Sequence, residues 1–548
     1  MKRRGRSATS ALLVSVASLA LMAVIGGLVE VGARRLRPES CAVAQRNSER
    51  VSDSLRHIAP CFVSEVREGE EVLVASNGAE DDSGWIPRRR TAGVPRIAVV
   101  GESSGHLLGE HLSRLAAAPG CADAEVLNCA QPGSALEHLD RRFEEVLAYD
   151  PDAIVVLFGH NIAFQFETDE RKLRLLGLLA RSCALSDLAP GAPPPDAPWL
   201  DSRLDLLEKV LRGAAAQARD RDVVLALATM PSNLWLPPVS GKREEEDLRF
   251  LEARFLDAIG RSAEAGVLLE SLAAEESEPY WHFQLGARLA RAGDAGDRAR
   301  HELHRARDED SLRMRAPSVV NDRLRSVASA EGLLVHDAER DVESRAPGGL
   351  PGWERFVDNC HLLPDEFDRE AMAIVSLLRG AQRLPRSCDP APTTAIHKGI
   401  GDVLAGVFDL TASGPPDFVR LWFEGLAFAV ESWLVRHPAA ADREVNAFLT
   451  GEVFAAAHGS ERHTRTLLAV AEGYSRAGMR DRALELNARA REAGGAEPWV
   501  AKGLFDLRDG EPAAARQAFE RALAIDAARE DARNFARWLA NPPASVAP

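Results

Sequence analysis

Ile97-Ala98-Val99-Val100-Gly101-Glu102-Ser103-Ser104 is the stretch from which the fold of this chain can be read. Four consecutive apolar residues lack the alternation of a half-solvated strand, so they read as a strand buried on both faces. A glycine and small polar residues end it, and residues 107–118 then have helical spacing. The same pattern recurs at residues 126–127, 154–158, 223–227 and 333–335, with helical stretches such as 135–148 between them. Buried strands alternating with helices predict an α/β fold, a doubly wound parallel sheet. In such a fold the site lies beyond the carboxyl ends of the strands.

Three segments at those ends carry chemistry: Gly101-Glu102-Ser103, Gly159-His160-Asn161 and, much later, Asp358-Asn359-Cys360-His361. A serine becomes a nucleophile when a base takes its proton, and the base needs an orienting carboxylate. Ser103, His361 and Asp358 supply those three types, which points to an ester-type hydrolase. The three-residue step from Asp358 to His361 suits one turn. Ser103 opens a helix, so its N–H faces a developing oxyanion.

The chain has 548 residues, too many for one core. Its formal charge of −15 argues against nucleic acid as a partner. Residues 9–31 form an apolar run, long enough for the roughly 20 residues a span requires, flanked by Lys2, Arg3, Arg4, Arg6, Arg34, Arg35 and Arg37. We expect an uncleaved anchor over residues 1–37 in the inner (cytoplasmic) membrane, single-pass, with the bulk of the chain extracytoplasmic. Seven cysteines include no C-x-x-C pair, so neither a zinc nor a redox site is expected, and no metal or cofactor is called for. Outside the cytoplasm disulfides can form, and Cys41 with Cys61 is the expected pair.

Residues 38–93 read as an irregular juxtamembrane segment with a short strand at 71–74. The α/β pattern occupies 94–241 and 311–385. Between these, 242–310 is helical throughout, and Leu285, Gly286, Leu289, Gly293 and Ala299 give it the look of an inserted helical hairpin segment. After the proline-bearing linker at 384–392, residues 393–548 read as an all-α region. There Ala471, Tyr474, Gly478, Ala483 and Ala490, then Trp499, Gly503, Gly510, Ala515, Phe519 and Ala522, sit at tetratricopeptide-repeat offsets. Ala483 and Ala515 are 32 residues apart, against a repeat of about 34. Such repeats present a concave surface to a protein partner. Lys502, Asp506 and Glu472 are the expected exposed polar contacts, and Tyr474 and Trp499 the expected core.

Gly101-Glu102-Ser103, Asn128-Cys129-Ala130-Gln131-Pro132-Gly133, Gly159-His160-Asn161 and Asp358-Asn359-Cys360-His361 occur in the order of the four blocks of the SGNH (GDSL-like) hydrolase family, which the chain resembles over residues 94–233 and 316–382. The resemblance implies Ser103 as nucleophile, His361 as base, Asp358 as its orienting acid, and Gly133 and Asn161 as oxyanion-hole donors. It also implies acyl esters of glycans or lipids as substrates, O-acetyl groups among them. Glu102 stands where the family usually has aspartate. Ser104 is the neighbour that could be mistaken for the nucleophile. His106, His111, His138 and His160 are expected to lack a matched carboxylate and read as bystanders, with His160 placed to line the pocket. An O-acyltransferase acting on envelope glycans, and a scaffold with a degenerate hydrolase fold, are the competing readings.

Overall fold

The computed structural model describes residues 59–76, 85–117, 124–164, 197–239, 247–275, 278–293, 296–311, 313–385, 399–411 and 416–541. The expected anchor at 9–31 and Cys41 lie outside the described residues. Among the described residues, no helix is long and apolar enough to cross a membrane. The chain divides into two compact units.

The first unit takes in the chain up to Arg89 together with Ser134–Tyr149. Its β1 (Phe62–Arg67), β2 (Glu70–Ala75) and β3 (Ile86–Pro87) form an antiparallel sheet in that order. Only β2 was expected. In β1 every residue after Phe62 is exposed, so no buried stripe marks it in the sequence. Glu145 accepts the Cys61 N–H at 2.7 Å, and the buried Arg142 donates to Glu145 and to the Ala59 carbonyl, each at 2.8 Å. Cys61 is disulfide-bonded, as is Cys129 of the second unit. Cys360 is free.

The second unit holds a five-stranded parallel sheet. Its strands are β4 (Arg96–Gly101), β5 (Glu125–Asn128), β6 (Ala153–Leu157), β7 (Val224–Ala228) and β8 (Leu334–His336), in the order β5-β4-β6-β7-β8. β4 and β6 are buried along their whole length, as the apolar runs require. The order reverses between β4 and β6, the switch point of a doubly wound sheet. Right-handed crossovers therefore put α1 (Ser103–Ala116) on one face and α2 (Ala197–Asp220) and α3 (Ser318–Glu331) on the other. α4 (Pro364–Gly380) packs beside α1, and α2 beside α3.

The two helical stretches, separate in sequence, share cores. Leu251 and Phe255 of helix Leu248–Ala258 pack with Leu504, Phe519, Phe535 and Trp538 near the carboxyl end. Phe283 and Leu303 join residues 400–505 in a second core, which also includes Leu234, Leu236 and Trp353 of the α/β part. Helices pair closely where a small residue allows it: a Cβ on Gly286 would meet Leu303 Cγ at 2.8 Å, and one on Gly503 would meet Phe519 Cε1 at 2.3 Å. Tyr474 is fully buried, as expected, and Trp499 is partly buried. Two expected surface contacts are corrected. Asp506 is buried in an ion pair with Lys502 at 2.6 Å, and Glu472 is held between Arg476 and Arg508 at 2.7 and 2.8 Å. At i, i+4 spacing a lysine neutralises the aspartate within its own helix, so a polar residue need not face solvent.

Gly101 has φ +153°, and a Cβ there would lie 1.9 Å from the Leu157 carbonyl oxygen. Gly213, inside α2, has nothing within 4 Å of its would-be Cβ. In thermal unfolding, Gly101→Ala should therefore cost about 3 kcal/mol or more. Gly213→Ala should raise stability by about 0.5–1 kcal/mol.

Candidate active site

Ser103 is the first residue of α1, directly after the Glu102 N-cap, whose backbone is extended at φ −103° and ψ −160°. That turn from strand to helix leaves the Ser103 side chain half-exposed at the sheet's carboxyl edge. His361 arrives from a loop after β8. Its Nε2 lies 2.7 Å from Ser103 Oγ, and its Nδ1 lies 2.5 Å from Asp358 Oδ2. The other oxygen, Asp358 Oδ1, accepts the backbone N–H groups of Cys360 and His361 at 2.9 and 2.7 Å. One carboxylate thus shapes the loop and orients the ring.

The loop is pinned from outside as well. Asn233, just beyond β7, donates its side-chain amide to the Asp358 carbonyl at 2.9 Å, and its N–H to the Asn359 carbonyl at 3.0 Å. The Asn359 amide donates to the Met314 carbonyl at 2.6 Å. Nothing in the motif pattern marks Asn233; its place at the end of a buried strand was the available signal.

Gly133 lies in a turn with φ +75°, in the left-handed region that favours glycine. The chain reaches it by continuing to bond along β4 past the end of β5: the Cys129 N–H donates to Val99 and the Gln131 N–H to Gly101, at 2.8 and 3.1 Å. Asn161 is buried in the short 3₁₀ turn His160–Ala163 that follows β6. Glu102 sets that turn. It is fully buried, and its two oxygens accept the backbone N–H groups of His160 and Asn161 at 2.9 and 2.8 Å. The sequence marked Glu102 as a departure from aspartate; its longer side chain is what spans the gap to the neighbouring strand's turn.

Electrostatics follow from burial. Removal from water pushes the Glu102 carboxyl up to about 7, against the pull of the N–H groups of Asn161, His160 and Gly159 and of the charge on His361. Burial also pushes the Cys360 thiol up to about 11, so at neutral pH it is uncharged. For His361, burial opposes charge on the ring. An ionised Cys360 would raise its proton affinity, and the hydrogen bond and charge of Asp358 do raise it, with a net upward shift. With Cys360 neutral, Asp358 is the anion responsible. Asp358 itself is held below the usual carboxylate range: burial raises it, but the His361 contact and the backbone donors outweigh burial.

Ser104 Oγ is buried with no hydrogen-bond partner among the described residues and lines a cavity of about 20 Å³ with Leu108, Met230, Cys360 and Phe367. Two of the supposed bystander histidines do have carboxylates: His111 Nδ1 meets Asp368 at 2.5 Å and His106 Nε2 meets Glu110 at 3.2 Å. The Asp368 partner lies 257 residues away in sequence, so only the fold reveals it. Two groups of described residues gather three potential metal ligands each. In Asp358–Cys360–His361 the carboxylate and ring are already bonded to each other. In His304–Glu339–Glu343 the buried Glu339 is already neutralised by Arg307 and Arg325.

No family model matches the chain, and no curated protein matches it. Among solved structures, a GDSL-like lipase from Bacteroides thetaiotaomicron aligns over 52% of this chain and 88% of its own, at 10% identity and a TM-score of 0.27.

The Glu102 shift has a testable sign. A carboxyl raised from 4.5 to about 7 favours its neutral form in the fold. Its contribution is full below pH 4.5 and is lost as pH rises through about 7. Glu102→Gln cannot ionise. Its stability relative to the parent should therefore improve from pH 5 to pH 9, by up to about 3 kcal/mol in denaturant unfolding. A difference that is flat with pH would show that Glu102 ionises as freely in the fold as in the unfolded chain.

Proposed function

We propose that this protein is an SGNH-type serine esterase or deacylase, membrane-anchored and acting outside the cytoplasm on acyl esters, O-acetyl groups of envelope glycans among them. The observation that carries the reading is the continuous contact from Ser103 Oγ through the His361 ring to Asp358, at 2.7 and 2.5 Å. A nucleophile, a base and an orienting acid within hydrogen-bond reach are the parts acyl transfer needs.

In this reading Asp358 holds the Nδ1–H tautomer, so Nε2 is free to accept. Ser103 Oγ attacks the ester carbonyl as its proton passes to His361 Nε2. The carbonyl oxygen becomes an oxyanion, met by the Ser103 and Gly133 N–H groups and the Asn161 amide. Collapse expels the alcohol, which takes the proton back from His361. Water, activated by the same ring, then cleaves the acyl-serine. The helical part serves as a docking surface for a protein partner in the tetratricopeptide manner.

With a short-chain ester, Ser103→Ala should reduce turnover to background, while Ser104→Ala should remain active. Asp358→Asn should lower kcat by about 10²–10⁴-fold. The base must be unprotonated, so activity falls as pH drops through the pKa of His361. The acid limb should lie above the ordinary imidazole value of 6.5 and move down in Asp358→Asn. Full esterase activity in Ser103→Ala would remove this reading.

A further inference from the structure

Asn233, Leu234 and Trp235 follow the end of β7 and grip the loop that carries Asp358 and His361 at two places. Asn233 takes the later limb, donating its N–H to the Asn359 carbonyl at 3.0 Å and its side-chain amide to the Asp358 carbonyl at 2.9 Å. The next two residues take the earlier limb. The Leu234 N–H donates to the Pro351 carbonyl at 2.9 Å, and the Trp235 indole N–H to the Leu350 carbonyl at 3.2 Å. The Trp353 indole N–H donates back to the Trp235 carbonyl at 3.2 Å. A Cβ on Gly352 would lie 2.5 Å from the Trp235 ring, so the loop rests directly on that ring. The Asn233 side chain joins the two grips. It is fully buried, and while Nδ2 donates to Asp358, Oδ1 accepts the Trp235 N–H at 2.9 Å. A carboxamide donates and accepts at once; a carboxylate only accepts, and an apolar chain does neither. The buried Arg315 fixes this segment by donating to the Asn233 and Leu236 carbonyls at 2.9 and 2.7 Å. From Asp358 the contacts continue to His361 and then to Ser103 Oγ, at 2.5 and 2.7 Å.

We propose that Asn233 is a positioning residue for the base: its amide ties both limbs of the loop to the end of β7 and so holds the His361 ring on Ser103. The inference rests on the esterase reading above. Asn233 acts on the reaction through the Asp358 backbone. Without the amide, the Asp358 carbonyl and the Trp235 N–H lose these partners together, and the two limbs are free to move apart. Misplacing a reacting group by about 1 Å can cost on the order of 10²-fold in rate. Substrate binding does not pass through this amide, so the loss falls on kcat.

The test uses the full chain, a short-chain ester and two substitutions. Asn233→Leu has the same branched shape without polar atoms and removes both bonds. Asn233→Ser keeps an oxygen that can accept the Trp235 N–H but is too short to reach Asp358, and it carries the test if Asn233→Leu does not fold. Asn487 is the matched control: it too is fully buried, and its amide donates to the Pro498 carbonyl at 2.9 Å in the helical region. The Asn233 variants should lose about 10–100-fold in kcat with KM within about twofold of the parent. Their acid limb should move down toward 6.5, as in Asp358→Asn, because a displaced Asp358 supports the charged ring less. Asn487→Leu should lower Tm and leave kcat, KM and the acid limb in place. Hydrolysis that needs Ser103, with kcat of Asn233→Ser within about twofold of the parent and the acid limb unmoved, overturns the proposal and leaves the esterase reading intact. Equal hydrolysis by the parent and Ser103→Ala removes both. A kcat loss in Asn487→Leu as large as that in Asn233→Ser would trace the effect to general destabilisation and also overturn the proposal.

Discussion

The site depends on a buried carboxylate that joins the ends of two strands. Glu102 follows β4, and its oxygens hold the turn that follows β6 through the His160 and Asn161 N–H groups. The sheet ladder alone brings Gly101 opposite Leu157; beyond that point the two chains have no ladder. Glu102 replaces it with two bonds at 2.9 and 2.8 Å. These backbone donors are fixed by the turn, so they stabilise the ionised form, yet full burial outweighs them. The residue that aligns the site is therefore one that the fold holds at some cost above neutral pH.

Asp358 solves the opposite problem with the same chemistry. It is only partly withdrawn from water, its partners include the imidazole as well as two N–H groups, and it remains ionised. One carboxylate is pushed up and the other down because a partner that can carry charge offsets desolvation more than neutral donors do. The two act on different halves of the site: Glu102 on the turn that bears Asn161, Asp358 on the ring facing Ser103.

Much of this was legible in the sequence, for physical reasons. Strands buried on both faces leave continuous apolar runs, so β4, β6 and β7 stood out to within a residue. The carboxyl ends of β4 and β6 then located Ser103 and Asn161, and the four-block resemblance added Gly133, after β5. His361 and Asp358 were found because they are local to each other. What could not be read depends on distance along the chain or on exposure. β1 has no apolar stripe. The His111–Asp368 pair and the Asn233 anchor join segments over a hundred residues apart. Glu102 looked like a mere substitution, since its role lies in backbone groups that no side chain advertises. Asp506 was taken for a surface group because pairing with a lysine one turn away leaves no trace in composition.

The two helical stretches also turn out to bear on the site. Trp353, five residues before Asp358, is buried, and its indole N–H donates to the Trp235 carbonyl at 3.2 Å. Its own carbonyl accepts the Trp433 indole N–H at 3.2 Å. A Cβ on Gly425 would come within 2.9 Å of the Trp353 ring, so the helix Pro416–Arg436 lies hard against it. Phe283, from the stretch inserted before β8, belongs to the same core. The loop carrying Asp358 and His361 is thus bounded on one side by the sheet and on the other by helices drawn from the inserted stretch and from the carboxyl-terminal region. In the proposed esterase, His361 must stay within hydrogen-bond reach of Ser103, and that packing would give its loop rigidity. The helices are therefore structural supports of the base loop, whatever else their outer surface binds.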